Sequence, residues 1–132
     1  MRNRSSTIIV KDGNIAVIKR SKPDQVYYVF PGGGIEENET PEQAALRETY
    51  EELGITVEIE RLLHTFPYSG IQYYFLAIVK AGEFGTGKGE EYLNSSIDKG
   101  TYEPMWLPLK DLSLYNIRPK ELVKIIQENC PS

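Results

Sequence analysis

The stretch Gly32–Ile55, GGGIEENETPEQAALRETYEELGI, decides how the rest of the chain is interpreted. Its second half predicts a helix that begins after Thr40, because threonine is a good N-cap and Pro41 suits the first helical position. Gln43 completes a capping box with Thr40. Gly54 supplies the stop, since glycine readily adopts the left-handed conformation that closes a helix. A helix is therefore expected between these two signals.

The predicted helix has an apolar face and a charged face. At about 100° per residue, one side gathers the residues that we expect to be buried: Ala45, Leu46, Thr49, Tyr50 and Leu53. The other side gathers Arg47, Glu48, Glu51 and Glu52. A charged helix face by itself is most often an ordinary solvated surface, so a functional interpretation needs a further argument.

Two features of the charged face provide that argument. Glu48 and Glu52 lie four residues apart, where like charges repel by roughly 0.2–0.5 kcal/mol. All three glutamates lie in the last turns, where the helix dipole makes each carboxylate cost from a few tenths to about 1 kcal/mol. Arg47 relieves only part of this through an i, i+4 pair with Glu51. Because carboxylate oxygens on one rigid face suit a hard cation, the pattern indicates a Mg²⁺ or Mn²⁺ site.

The same stretch resembles the signature of the Nudix hydrolases, Gly-x5-Glu-x7-Arg-Glu-U-x-Glu-Glu-x-Gly-U, in which U is a bulky apolar residue. The matching positions are Gly33, Glu39, Arg47, Glu48, Glu51, Glu52, Gly54 and Ile55. The one departure is Thr49 at the first U position, whose methyl group can still face the core. The resemblance implies a Nudix-type α/β/α sandwich with a mixed β-sheet, that is, an α/β fold.

The resemblance also implies roles for individual residues. The expected metal ligands are Gly32 (through its carbonyl), Glu48, Glu51, Glu52 and Glu90. The candidate catalytic carboxylates are Glu51, Glu52 and Glu91. Glu39 and Arg47 are expected to form an internal ion pair that positions the glutamate helix, and Gly33 and Gly54 are structural positions of the motif.

The ligand downstream of the signature is left open by the sequence. The segment from Gly82 to Gly100 has five glycines and no clear element, and long loops in compact domains are often functional. Its pair Glu90-Glu91 resembles the extra glutamate that family members carry, while Glu103 on the next strand is the competitor. The candidate substrate-binding residues are Arg4, Tyr28 and Lys88.

The remaining elements are predicted mainly as strands. Asp12-Gly13-Asn14 is a strong hairpin signal. Strands are expected over 6–10, 15–19, 26–30, 55–63, 68–79 and 101–107, with a final helix over 120–128. The nearly continuous apolar run from Ile71 to Val79 predicts a central strand that is buried on both faces. Tyr68, Tyr73 and Tyr74 could stack on a nucleobase, but packing in the core is the more ordinary interpretation.

Length and charge narrow the class of protein. The chain has 132 residues, 40% of them hydrophobic, which is typical of one globular domain spanning 1–132. Its net charge of −4 provides no positive field for nucleic acid, which is not an expected partner. The single Cys130 and the lack of a long apolar run or signal peptide indicate a cytoplasmic protein without a membrane partner. A homodimer remains open, because family relatives often pair.

The expected function is metal-dependent hydrolysis of the pyrophosphate linkage in a nucleoside diphosphate joined to another moiety. The sequence does not choose among nucleoside triphosphates, dinucleoside polyphosphates and nucleotide sugars as the small-molecule substrate. The alternative is a non-catalytic nucleotide-binding or sensor domain on the same fold. Retention of every carboxylate of the signature argues against that alternative.

Overall fold

The computed structural model describes residues 2–87 and 100–130. Within these residues, two helices and a 3₁₀ turn accompany the strands: α1 (Pro41–Leu53), the 3₁₀ turn (Leu109–Leu114) and α2 (Glu121–Asn129). The strands are β1 (Arg4–Lys11), β2 (Asn14–Lys22), β3 (Gln25–Val29), β4 (Gly32–Gly34), β5 (Ile55–Pro67), β6 (Ile71–Gly82) and β7 (Thr101–Pro108). Each predicted strand and both predicted helices are present, with ends that differ by a few residues.

The described strands form one mixed sheet. Its main order is β3-β2-β1-β6-β5, while β4 pairs with the first half of β1 and β7 pairs with β2. Strands β1 and β6 run parallel, and the other pairs are antiparallel. The predicted hairpin between β1 and β2 is confirmed, with Asp12 and Gly13 at φ values of 52° and 78°. Positive φ at both turn residues is the geometry that joins two twisted strands by two residues.

Helices α1 and α2 pack on opposite faces of the sheet. Neighbouring residues of a strand point to opposite faces, and Ile8 and Ile9 of β1 belong to different apolar clusters. Ile8 packs in the cluster that contains Leu122 of α2, whereas Ile9 packs in the cluster that contains Leu53 of α1. The expected α/β fold, a mixed sheet between helices, is therefore confirmed.

The prediction for β6 is only partly right. The strand is internal, since it pairs with β1 on one side and with β5 on the other. Burial on both faces is limited to its middle, where Tyr74, Phe75 and Ala77 are buried, while Ile71 is 41% exposed. The prediction was therefore wrong at the first end of the strand.

None of the helices within residues 2–87 and 100–130 is both long and apolar enough to cross a membrane.

Candidate metal and substrate site

The helix α1 begins and ends where its capping residues predict. The Thr40 hydroxyl accepts a hydrogen bond from the Gln43 backbone N–H at 3.1 Å, and Gln43 Oε1 accepts one from the Thr40 N–H at 2.8 Å. Gly54 closes the helix at φ 78°, and its N–H donates to the Tyr50 carbonyl. These local signals fix the position of every side chain on the carboxylate face.

The apolar and charged sides of α1 do not coincide with its buried and exposed faces. Glu48 and Glu52 are buried, at 9% and 5% exposure, whereas Leu46 and Tyr50 are 38% and 61% exposed. The reason is the position of β4, whose glycine backbone covers the side of the helix that carries Glu48 and Glu52. The buried face is thus rotated toward the carboxylates and away from two apolar residues.

The departure of Thr49 from the signature has a structural explanation. Thr49 is fully buried, and its hydroxyl lies 2.7 Å from the hydroxyl of Thr7 on β1. Two buried hydroxyl groups satisfy each other in this way, so neither carries the cost of an unpaired polar group. The position that is normally apolar therefore ties α1 to the centre of the sheet through a hydrogen bond.

The glycines of β4 bring the backbone directly against the carboxylates. The N–H of Gly32 donates to Glu52 Oε1 at 2.7 Å. A Cβ atom on Gly33 would lie 2.7 Å from Glu48 Oε1 and closer still to the rest of that carboxylate. Only glycine fits at this position without moving Glu48, which explains why the motif needs a residue with no side chain here.

Arg47 organises the same region through a network of hydrogen bonds. Its guanidinium group holds Glu39 with two bonds, Nε to Oε2 at 2.7 Å and Nη2 to Oε1 at 3.0 Å. Nη2 also donates to the Gly34 carbonyl at 3.0 Å, and Nη1 donates to Glu48 Oε1 at 2.8 Å. The predicted pair between Glu39 and Arg47 is therefore present, and it joins the motif's loop, strand β4 and helix α1.

The pair changes the acidity of both groups. The hydrogen bonds from Arg47 lower the pKa of Glu39 from 4.5 to about 2, against the opposing effect of burial. The hydrogen bonds that Arg47 donates to Glu39 raise the pKa of the Arg47 guanidinium. Both groups are consequently held in their charged forms across the physiological range.

Glu51 differs from the two buried carboxylates. Its side chain is 46% exposed, and its Oε2 lies 3.4 Å from Arg47 Nη1, in the i, i+4 pair that the sequence predicts. Within residues 2–87 and 100–130, no three histidine, cysteine, aspartate or glutamate side chains are close enough together to form a complete metal site. Glu90 and Glu91, two candidates for completing it, lie outside the described residues.

The donor atoms at this site are suitable for a hard divalent cation. Glu48 and Glu52 lie one turn apart on α1, and the carboxylate of each lies against the backbone of β4. Oxygen donors of this kind suit Mg²⁺ or Mn²⁺ rather than a soft metal. Burial of two carboxylates so close together costs free energy, which a cation would offset.

The candidate substrate residues lie in different places. Arg4 is exposed and stands opposite Gly34 in the register of β1 and β4. Tyr28 packs edge-on against Tyr115 at 5.2 Å, and the structure does not bring it to the glutamates. Lys88 lies outside the described residues. Glu103, the competing downstream ligand, stands opposite Lys19 in the register of β2 and β7.

A cavity that the sequence did not predict opens beside β1. This aromatic pocket, as we call it, has a volume of about 660 Å³ and is lined by Phe66, Pro67, Tyr68, Gln72, Tyr74, Asn116, Ile117, Arg118, Pro119, Lys120 and Glu121. Tyr74 stands opposite Ser6, which in turn stands opposite Gly32. At about 4.8 Å per strand, the pocket wall lies roughly 10 Å from the glycine strand.

The lining of the aromatic pocket corrects one interpretation of the tyrosines. Tyr68 is 75% exposed and does not pack in the core, whereas Tyr74 is buried. Burial raises the pKa of the Tyr74 hydroxyl, which the charge of Arg4 lowers and that of Glu121 raises further. The aromatic residues of β5 and β6 were the only available signal for the pocket.

The fold and the carboxylate helix together define an α/β protein of the type found among hydrolases. Residues 1–127 match the family model of the NUDIX domain, and the chain therefore belongs to the NUDIX family of hydrolases. This confirms the resemblance on which the sequence interpretation rested.

Two relatives illustrate the similarity in sequence. The chain is 35% identical over 82 residues to an 8-oxo-dGTP diphosphatase of Proteus vulgaris, which covers 58% of this chain and 73% of that protein. It is 47% identical over 58 residues to an RNA pyrophosphohydrolase of Psychromonas ingrahamii, which covers 44% of this chain. The matched segment spans only 32% of that second relative.

Solved structures share the fold. A NUDIX hydrolase from Nitrosomonas europaea matches with a TM-score of 0.73 at 16% identity, over 97% of this chain and 87% of that one. The MutT NUDIX hydrolase from Burkholderia pseudomallei matches with a TM-score of 0.64 at 25% identity, over 92% of this chain and 94% of that one.

Proposed function

We propose that the protein hydrolyses the pyrophosphate linkage of a nucleoside diphosphate joined to another moiety, with Mg²⁺ or Mn²⁺ held by Glu48 and Glu52. The candidates that would complete the site are the Gly32 carbonyl, Glu51 and, outside the described residues, Glu90. The observation that carries the proposal is the burial of Glu48 and Glu52 side by side against the glycine backbone of β4. A folded protein gains little stability from such a pair of carboxylates. We therefore interpret the two carboxylates as ligands of a cation.

The residues of the site have separate tasks. The Gly32 N–H holds Glu52 in one orientation, and Arg47 does the same for Glu48. When bound, the ion supplies positive charge that offsets the phosphate oxygens and polarises water. Glu51 is the most exposed of the three glutamates and is a candidate to accept a proton from water, as are Glu52 and, outside the described residues, Glu91.

The substrate is proposed to pass from one face of the sheet to the other at the first end of β1, with its phosphates beside α1 and its organic part in the aromatic pocket on the α2 face. Arg4 is exposed between these two places and can meet the charge of a phosphate group. Lys88 is a further candidate for this contact. Relatives named for 8-oxo-dGTP and for RNA support a nucleotide as the ligand. Roughly 10 Å between the pocket and β4 suits the reach of a nucleoside from its phosphates.

The variant Glu52→Gln tests the proposal. Glutamine keeps an oxygen that can accept the hydrogen bond of the Gly32 N–H but loses the charge, so we expect a folded protein whose turnover falls at least about 100-fold. Turnover is measured as release of phosphate or nucleoside monophosphate from a panel of nucleotides with Mg²⁺. The matched control is Glu58→Gln, because Glu58 is exposed on β5 and pairs only loosely with Lys80 at 3.5 Å.

Two results would contradict the proposal. Hydrolysis at the wild-type rate in Glu52→Gln would show that this carboxylate does not serve the reaction. Binding of nucleotides with no hydrolysis of any member of the panel would favour the non-catalytic nucleotide-binding domain instead.

A further inference from the structure

The aromatic pocket presents hydrogen-bond acceptors whose orientation is fixed by the backbone. The side-chain nitrogen of Gln72 donates to the Tyr68 carbonyl at 3.0 Å, and that of Asn116 donates to the Val26 carbonyl at 3.2 Å. A carbonyl can only accept, so each amide must turn its nitrogen toward the backbone. Each amide oxygen consequently points away from that carbonyl.

A third acceptor comes from the first turn of α2. Glu121 lines the same pocket, and its carboxylate only accepts hydrogen bonds when it is ionised. Two amide oxygens and a carboxylate therefore come from three separate elements, which are β6, the segment before α2, and α2 itself. A ligand between them is met by acceptors from several directions.

The two cationic side chains of the pocket do not supply matching hydrogen-bond donors at fixed positions. Arg118 Nη2 donates to Gln25 Oε1 at 2.9 Å, and its guanidinium carbon lies 4.0 Å from the centre of the Tyr27 ring. The guanidinium group is thus held against β3 by one hydrogen bond and one ring contact. Lys120 is exposed, and its flexible ammonium group can remain in solvent. The fixed polar groups of the pocket are mainly acceptors.

The aromatic side chains suit a flat ring. Phe66 and Tyr74 meet edge to face with centroids 5.8 Å apart, while Tyr68 is largely exposed. An exposed tyrosine next to a cavity can stack on a base, and such stacking does not distinguish one base from another. Discrimination must come from the polar groups.

We propose that Gln72, Asn116 and Glu121 select nucleotides whose base carries an amino group, because their oxygens accept hydrogen bonds from it. The inference rests on the proposed function and specifies the substrate class for the same site. A base with a carbonyl in place of the amino group, or with neither, keeps at most its ring N–H as a donor toward these acceptors. A site built to hydrogen-bond a substrate group discriminates against the analogue that lacks that group.

Two matched pairs of nucleotides test the proposal. GTP and ITP differ only by the 2-amino group, and CTP and UTP differ at the 4-amino group and the adjoining ring nitrogen. We expect kcat/KM to be at least about tenfold higher for the amino member of one or both pairs. Preference of less than threefold in both pairs, or preference for ITP and UTP, would overturn the proposal.

Variants connect the preference to the named residues. Gln72→Met and Asn116→Leu keep the size of the side chain and remove the acceptor, so the preference should fall to within about twofold. Gln127→Met is the matched control, because Gln127 is exposed on α2 and does not line the pocket. A preference that persists unchanged in both pocket variants would also overturn the proposal.

A binding measurement separates this inference from the proposed hydrolysis. If no nucleotide is hydrolysed, calorimetric titration with GMP and IMP, and with CMP and UMP, compares the same groups without any reaction. Tighter binding of the amino members supports the selection even though the hydrolysis has failed. Equal affinities overturn the selection and leave the proposed hydrolysis to its own test.

Discussion

Replacement of Arg47 by alanine perturbs the part of the site that holds α1 to its loop. The change removes the two hydrogen bonds to Glu39, the bond to the Gly34 carbonyl and the bond to Glu48. Glu39 and Glu48 have little access to solvent, with 14% and 12% of their side chains exposed. Loss of their partner therefore leaves two poorly hydrated carboxylates, which is costly.

The acidity of Glu39 gives the magnitude of this effect. A pKa lowered from 4.5 to about 2 corresponds to about 3 kcal/mol of interaction with the charged form. Solvent at the edge of the network screens part of it, so the expected loss in the free energy of unfolding is about 2 kcal/mol. For a chain of this length, that loss lowers the melting temperature by about 6 °C.

The same pair predicts a dependence on pH. Because the folded pKa of Glu39 lies below the unfolded value, its contribution is fully present above about pH 4.5 and is lost as the pH falls toward 2. The difference in stability between wild type and Arg47→Ala should accordingly be constant near neutral pH. At pH 3 it should be smaller by roughly 60%.

Thermal and urea unfolding followed by circular dichroism measure this difference at pH 7 and pH 3. Arg47→Lys should recover only part of the loss, since lysine keeps the charge but not the two parallel bonds. The control is Arg61→Ala, which removes an exposed guanidinium whose Nη2 donates to Asn129 at 3.2 Å. The reasoning would be refuted if Arg47→Ala had the melting temperature of the wild type. It would also be refuted if the difference in the free energy of unfolding between the two proteins grew toward pH 3.

Two further predictions concern the packing around α1. Thr49→Val should lower the free energy of unfolding by about 1–2 kcal/mol, because the Thr7 hydroxyl loses its buried partner. The double variant with Thr7→Val should recover most of that loss in urea denaturation, and an additive loss would contradict it. Gly33→Ala should displace the Glu48 carboxylate and weaken activation by Mg²⁺ about tenfold or more. Gly34→Ala is its control, because the added Cβ meets only the flexible end of an arginine side chain; equal activation by Mg²⁺ in the two variants would refute this prediction.

Local signals were sufficient to predict α1. Thr40, Gln43 and Gly54 act on the backbone within a few residues of themselves, so their effect can be inferred without knowledge of the fold. The two-residue turn at Asp12 and Gly13 was predictable for the same reason. Both features are present where the sequence places them.

The burial of Glu48 and Glu52 could not be predicted from the helix alone. Periodicity shows which residues share a face, but the strand that covers that face lies earlier in the chain and pairs with β1. The close approach of β4 depends on glycines that pack against a carboxylate rather than against an apolar side chain. The hydrophobic pattern therefore indicated the opposite side of the helix at Leu46 and Tyr50.

The aromatic pocket could not be predicted from the sequence. Its walls come from β5, β6 and the segment before α2, which β3 holds through bonds between Tyr28 and residues 116 and 118. No short motif links residues so far apart in the chain. Glu90 and Glu91, predicted from the resemblance, remain predictions because they lie outside the described residues.

Titration with Mn²⁺, followed by its electron paramagnetic resonance signal, tests most directly whether the buried carboxylates bind a divalent ion. The wild-type protein should bind Mn²⁺, and the double variant Glu48→Gln, Glu52→Gln should bind it at least about tenfold more weakly while remaining folded. The control is the double variant Glu58→Gln, Glu60→Gln, which changes two exposed residues of β5 and should bind Mn²⁺ with the wild-type affinity. Equal affinity in all three proteins, or no binding by the wild type, would contradict the account.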